Sequence, residues 1–258
     1  MPSARKPKAA QAFTRRVLAW FDRAGRDLPW RRTRDPYRVL VSEFMLQQTQ
    51  VSRVTEYYPR FLARFSTLER LARARPRAVR EAWDGLGYYA RAANLHALAR
   101  VVSRDMGGTL PSEPDELERL PGVGRYTAGA VASFAYERPV AAVDVNVARV
   151  LRRVFFGEGS GECGVVREKR GEWGVVRSGA GRKPVRTAKY HSPLPTPGSL
   201  WSLATTLVPK SGKRAWKFNQ AVMELGAVIC VARKPKCAAC PVRTVCKTGK
   251  AWGVRSGT

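Results

Sequence analysis

The sequence predicts an all-α protein. Apolar residues recur at the spacing of one helix face, as in Phe13, Val17, Trp20 and Phe21. β-Branched residues fall mostly within that same periodicity, and no Asn-Gly or Asp-Gly turn separates alternating runs, so strand signals are scarce. Roughly ten short helices are expected. Residues 1–10 are basic and Pro/Ala-rich and read as a frayed arm, after which helical pattern sets in at Gln11. Leu28-Pro29-Trp30-Arg31-Arg32 breaks it. Asp35-Pro36-Tyr37 then reads as an N-cap with proline at the first helical position, starting a helix through Leu40, Phe44 and Thr49. Further helices are expected over 51–65, 67–74, 76–83, 88–106, 114–120, 126–135 and 145–155, and pattern returns over 200–208 and 216–229.

Residues 157–199 interrupt this order with nine Gly, four Pro, eight Lys+Arg and four Glu in 43 positions, the composition of a flexible basic insertion. Gly164-Val165-Val166-Arg167 recurs as Gly174-Val175-Val176-Arg177, and Trp173-Gly174 is echoed by Trp252-Gly253. These echoes are too few for a solenoid and receive no function.

The 258 residues carry 47 Lys+Arg against 20 Asp+Glu, a formal charge of +27. An excess of this size implies a polyanionic partner, nucleic acid first and an acidic protein or membrane surface second. With 44% apolar residues, including seven Trp, eight Tyr and nine Phe, the chain can bury a real core and is not merely a disordered basic tail. No apolar run approaches the ~20 residues that span a bilayer, and MPSARKPKAAQ lacks a secretory apolar segment. A cytosolic protein is expected. Four of the five cysteines cluster and Cys163 stands alone, which in a reducing compartment points to a metal site rather than disulfides.

The cluster reads Cys230-x6-Cys237-x2-Cys240-x5-Cys246. Four thiolates within seventeen residues can wrap one compact iron–sulfur cluster. Zinc is the competing ligand, although zinc ribbons usually present two short Cys pairs and only Cys237/Cys240 is such a pair. Lys234, Lys236, Arg243 and Lys247 make the loop basic, suited to holding phosphate rather than to transferring electrons.

A second signal is Leu120-Pro121-Gly122-Val123-Gly124-Arg125-Tyr126 between two helical patterns. Its glycines permit a sharp turn, and exposed N–H groups at the following helix start attract an anion. It resembles the helix-hairpin-helix motif, which grips DNA phosphates without reading sequence; an ordinary interhelical turn is the alternative, and the charge favours the former. Two carboxylates complete the set. Glu43 lies in the apolar run Val39 to Leu46, where partial desolvation would raise its pKa and suit it as a general acid; an exposed helix position is the alternative. Asp144, in Val143-Asp144-Val145-Asn146-Val147, sits where a helix starts, so it serves as an N-cap, as a fixed catalytic carboxylate, or as both.

Taken in order, Leu28-Pro29-Trp30-Arg31, Ser42-Glu43-Phe44-Met45-Leu46-Gln47-Gln48-Thr49-Gln50, Gly85-Leu86-Gly87-Tyr88-Tyr89-Ala90-Arg91-Ala92, the hairpin, the Asp144 segment and Phe218-Asn219-Gln220 ahead of the cysteines resemble the MutY-type adenine DNA glycosylases of the helix-hairpin-helix superfamily. The likeness covers roughly 11–156 and 200–247. It implies a six-helix barrel over 30–138 bearing the hairpin, a [4Fe–4S] domain over 1–29 and 139–250, an active site in the cleft between them, and a monomer acting on double-stranded DNA with A:8-oxoguanine or A:G mispairs. On this likeness Glu43 protonates adenine N7, and Asp144 stabilises the oxocarbenium sugar or forms a transient adduct with it. Tyr126 and Asn146 line the site and orient Asp144. Gln48, Thr49, Leu86 and Tyr88 form a wedge that fills the gap, Gly122, Gly124 and Arg125 hold phosphate, and Trp30, Arg31 and Gln220 belong to the base pocket. Cys230, Cys237, Cys240 and Cys246 ligate the cluster.

Endonuclease III relatives carry a lysine after the hairpin arginine, whose amine attacks the sugar and leads to strand cleavage. Tyr126 stands there instead, so a monofunctional glycosylase is expected. The competing readings are a thymine or pyrimidine mismatch glycosylase, since a thymine-removing relative also has Tyr here, and a non-catalytic iron–sulfur DNA-binding module. Three departures from the family stand out. Val145 replaces a common glycine, the insertion is longer than usual, and the chain stops twelve residues after Cys246, where family members continue into a domain that helps recognise 8-oxoguanine. A weakened preference for the oxidised base is therefore expected.

Overall fold

In the computed structural model of the protein, residues 7–157 and 200–249 are described. Cys163, both Gly-Val-Val-Arg echoes, Trp252-Gly253, nearly all of the basic insertion and residues 1–6 of the basic arm lie outside them. Among the described residues there is no strand. The helices are α1 (Lys8–Ala24), α2 (Pro36–Leu46), α3 (Val51–Arg64), α4 (Leu68–Ala72), α5 (Pro76–Ala82), α6 (Ala90–Asp105), α7 (Pro114–Leu117), α8 (Arg125–Tyr136), α9 (Val145–Leu151), α10 (Leu200–Leu207) and α11 (Gly212–Val228). Short 3₁₀ turns cover Pro29–Arg31, Cys237–Ala239 and Arg243–Val245, and a π turn, Arg152–Phe156, extends α9 to Gly157. None of these helices is long and apolar enough to cross a membrane.

Two compact units result, one gathering residues 7–26, 137–157 and 200–249 and the other Asp27–Tyr136. The Asp27–Tyr136 unit is built around α2. Asp35 caps this helix by accepting the Arg38 N–H at 3.0 Å, and Pro36 pre-sets its first turn. Every residue from Val39 to Met45 is buried, the mark of a helix surrounded by others. α2 packs against α3, α6 and α8, and α4 against α6. The face of α8 is small, with Thr127, Ala128, Gly129, Ala130, Ala132 and Ser133 buried, which lets the α2 backbone come close. Phe61 stands edge-on to Trp83 at 5.6 Å between ring centres, and Trp30 edge-on to Tyr58 at 5.7 Å.

The second unit packs α11 against α1 and α9. Phe13 is fully buried, its ring 5.3 Å from Phe155 and 6.2 Å from Phe218. The inaccessible Glu224 carboxylate on α11 is neutralised by Arg26 beyond the end of α1, at 2.6 Å from Nε. Leu207, Ala221, Leu225 and Cys246 complete this core, on whose margin Cys230 and Cys240 pack.

The helix expected to run through Thr49 stops at Leu46 instead, and Gln48 turns left-handed at φ 56°. Likewise α6 begins at Ala90 rather than Tyr88, because Tyr88 is left-handed at φ 46°. α11 begins at Gly212, one turn before the expected Trp216.

Candidate active site

Glu43 is carried on α2 and is only 4% exposed, so the run of apolar neighbours in the sequence does translate into burial. The hairpin lies next to it. Gly122 has φ 75°, and a Cβ there would come within 2.6 Å of the Asn94 Cβ and 3.0 Å of Phe44, the residue after Glu43. The turn is closed by the Val123 N–H donating to the Leu120 carbonyl at 3.2 Å, and Leu120 and Val123 are both buried. α8 then starts at Arg125. A glycine is thus required at 122 for both conformation and space. Gly122→Ala is expected to destabilise the protein by about 1–3 kcal/mol, read as a lower urea midpoint. A Cβ at Gly124 would meet nothing within 4 Å.

Asp144 belongs to the other unit. The extended segment leading to it is pinned by Asn219 of α11, whose Nδ2 donates to the Val140 carbonyl at 2.9 Å and whose Oδ1 accepts the Ala142 N–H at 3.4 Å. Asp144 then caps α9. Its Oδ1 accepts the Val147 N–H at 2.7 Å, and its Oδ2 accepts from Asn146 Nδ2 at 2.8 Å. Asn146 Oδ1 in turn accepts from Arg149 Nη2 at 2.7 Å. That guanidinium also donates to the Gly226 and Cys230 carbonyls, both at 2.8 Å, so the Asp144 carboxylate is oriented through two side chains from the end of α11 and the first cysteine. Gly226 makes this approach possible, since a Cβ there would lie 2.7 Å from that of Asn146.

Burial pushes the Asp144 carboxyl above its usual range, opposed by the hydrogen bonds from Val147 and Asn146 and by the charge of Arg149. An Asp acting as an anion loses function as pH falls through its pKa, so the acid limb of the rate should lie above the ordinary aspartate value of about 3.9. Asn146→Ala removes a donor that favours the anion. A pH profile of single-turnover rates should show the acid limb displaced to still higher pH; an unmoved limb would show that Asn146 does not bear on the ionisation of Asp144.

The remaining expected site residues are distributed as follows. Trp30, Arg31, Gln48, Thr49, Leu86, Tyr88, Gly122, Gly124, Arg125 and Tyr126 share the Asp27–Tyr136 unit with Glu43, while Asn146, Gln220 and the four cysteines share the other with Asp144. Gln48 and Tyr88 are exposed, Tyr88 at 62%. Leu86 is buried, and so are Trp30, packed on Tyr58, and Gln220 on α11. Arg31, Thr49, Arg125 and Tyr126 are half-buried. Arg149 belongs to none of the sequence motifs, and the local signal for its role is its position three residues after Asn146 on the same helix face.

The four cysteines line one cavity with Val150, Val154 and Leu225, and none of its lining residues is His, Asp or Glu. Burial raises the Cys237 and Cys246 thiols and takes Cys240 up to about 11, with further contributions from neighbouring sulfurs. Burial thus keeps these thiols protonated, and a cationic centre would be needed to draw off the protons and hold the sulfurs as soft thiolate ligands. Arg153 Nη1 lies 3.4 Å from the Cys230 sulfur, and the Gly249 N–H donates to Cys246 Sγ at 3.3 Å. Among the described residues no three His, Cys, Asp or Glu side chains converge as ligands of a single metal ion. Four cysteines on one cavity with no competing carboxylate or imidazole are a donor set of the chemistry that soft metal centres take.

Residues 41–173 match the family described as HhH-GPD superfamily base excision DNA repair protein. The chain is 40% identical over 245 residues to an adenine DNA glycosylase of Rattus norvegicus, covering 92% of this chain and 41% of that protein. It is 39% identical over 227 residues to one from Mycolicibacterium smegmatis, covering 88% of this chain and 66% of the relative. The chain therefore spans about two-fifths of the length of the rat relative. A solved thermostable thymine-DNA glycosylase superposes with a TM-score of 0.74 at 31% identity, over 95% of this chain and 98% of that one.

Proposed function

Because the chain belongs to the HhH-GPD superfamily of base excision DNA repair proteins, we propose that it is a monofunctional DNA glycosylase that excises adenine mispaired with 8-oxoguanine or guanine. The observation that carries this reading is the Asp144 carboxylate, desolvated yet held at the α9 N-terminus by Val147 and Asn146. Such a carboxylate is fixed in place to face a cation without needing to reorganise. The likeness to adenine glycosylases supplies the base.

The chemistry follows from the residue types. The target adenine is extruded from the duplex at a cost of a few kcal/mol, least for a mispaired base. Glu43 gives its proton to adenine N7, the C1′–N9 bond breaks with its electron pair leaving on the base, and the sugar becomes an oxocarbenium ion. Asp144 stabilises that cation electrostatically or as a transient adduct until water adds to C1′ and releases a proton, the two-carboxylate solution that sugar hydrolases also use. Tyr126 lines the site and offers no amine for a Schiff base, so strand cleavage does not follow. Gln48 and Tyr88, exposed on adjoining loops, enter the stack, Trp30, Arg31 and Gln220 shape the base pocket, and Gly122, Gly124 and Arg125 hold phosphate. Cys230, Cys237, Cys240 and Cys246 would hold a [4Fe–4S] cluster, which when bound cross-links residues 230–246 and fixes a basic loop.

The test is a glycosylase assay across A:8-oxoguanine, A:G, A:C and T:G duplexes, read as alkali-labile sites. Adenine release opposite 8-oxoguanine and guanine, with thymine untouched in T:G, is expected. Thymine release, or no product from metal-loaded protein, would sink the reading in favour of a mismatch thymine glycosylase or a non-catalytic DNA-binding module respectively.

A further inference from the structure

We propose that Arg91 is a positioning residue that fastens the loops 47–49 and 85–88 into one rigid fixture; this rests on the reading that Gln48 and Tyr88 enter the duplex. Arg91 lies in the first turn of α6 and is 7% exposed. Its Nη1 donates to the carbonyls of Phe44 at 3.0 Å, Met45 at 2.7 Å and Gln47. Its Nη2 donates to the carbonyls of Leu86 and Gly87, both at 3.1 Å. One guanidinium therefore joins the C-terminal end of α2 to a turn some forty residues away in sequence.

The acceptors explain why an arginine is needed. The last carbonyls of α2 have no partner within the helix and stand at the negative end of its dipole, so a buried cation is favoured there. The fork of the guanidinium reaches two groups of acceptors in different directions, which the single ammonium of lysine does not. Each loop also holds one side-chain-bearing residue in the left-handed region, Gln48 at φ 56° and Tyr88 at φ 46°. Such conformations persist only where the surroundings over-determine them. The Tyr88 ring centre lies 5.5 Å from the Arg91 guanidinium carbon, with Trp83 at the same distance. Arg91 thus holds the backbone of both loops and also one of the two exposed side chains. A wedge transmits force to a base stack only if its base does not yield, and that rigidity is what Arg91 provides.

The experiment compares wild type with Arg91→Lys and Arg91→Met on an A:G duplex that carries 2-aminopurine beside the target adenine. Arg91→Met should lose about tenfold or more in both the rate of unstacking seen by fluorescence and the single-turnover rate, the scale of a lost charged hydrogen bond. Its affinity for duplex, held by the hairpin, should change little, and Arg91→Lys should recover part of the loss. A folded Arg91→Met with wild-type unstacking overturns the proposal. Hydrogen exchange on the wild-type chain decides the matter even if both variants fail to fold. Peptides over 46–50 and 84–89 should be protected and open together, and exchange of either at open-chain rates overturns it. If the wild type releases no adenine, the functional reading fails, and the exchange result still decides whether the fixture exists.

Discussion

Glu43→Gln is expected to fold as the wild type does and to release adenine about 10²–10⁴-fold more slowly, the usual worth of a positioned general acid. Gln has the same length and shape, and its amide holds no proton that N7 could take. The site on α2 is almost closed to solvent, so the substitution removes a group that costs energy to bury as an anion, and the melting temperature should hold or rise. Asp144→Asn separates a second role from structure. Asn caps a helix as well as Asp does, so α9 should remain anchored through the Val147 N–H. What disappears is the negative charge that the proposed mechanism sets opposite a developing cation, and excision should fall by at least about 10²–10³-fold. Single-turnover rates on A:8-oxoguanine duplex, read beside thermal melts, distinguish lost chemistry from lost fold. A Glu43→Gln protein of wild-type rate would remove Glu43 from the mechanism.

Cys240→Ala is expected to have the largest effect on the second unit. The wild type should be brown with broad visible absorption, and the variant should lose that colour. Metal binding free energy is folding free energy where ligands are brought together by the fold. The three remaining sulfurs would stay crowded in a cavity lined by valine and leucine, beside the core that Phe13 and Phe218 build. A drop in melting temperature of about 5–10 °C is expected, since each kcal/mol moves a chain of this size by about 2–4 °C. Lys236, Arg243 and Lys247 would lose their fixed arrangement, so duplex affinity should fall and its salt dependence flatten. A colourless wild type holding one tightly bound zinc would refute the cluster.

Much of the helical order was legible because its causes are local. Asp35 and Pro36 start α2 through contacts that span three residues, and the Val147, Val150 and Leu151 face of α9 is read directly from spacing. The ends of helices were less legible. Periodicity carries on from Phe44 to Thr49, but the Arg91 guanidinium takes the final carbonyls of α2 and the chain leaves the helix at Gln47. No pattern within residues 36–50 contains that information.

The site divides along the same line. Glu43, Asp144 and the four cysteines stand out as candidates by residue type and local setting, whereas Tyr126 enters only through the likeness to MutY-type glycosylases. The charge of +27 points to a polyanionic partner in the same local way. Tertiary structure alone decided that Leu86 presents its carbonyl inward while Tyr88 faces solvent, and that Arg149 joins Asn146 to the Cys230 carbonyl. These contacts join segments as far as 81 residues apart. Burial and hydrogen bonding at such separations depend on which helices pack together, which is a property of the whole unit rather than of any window of sequence.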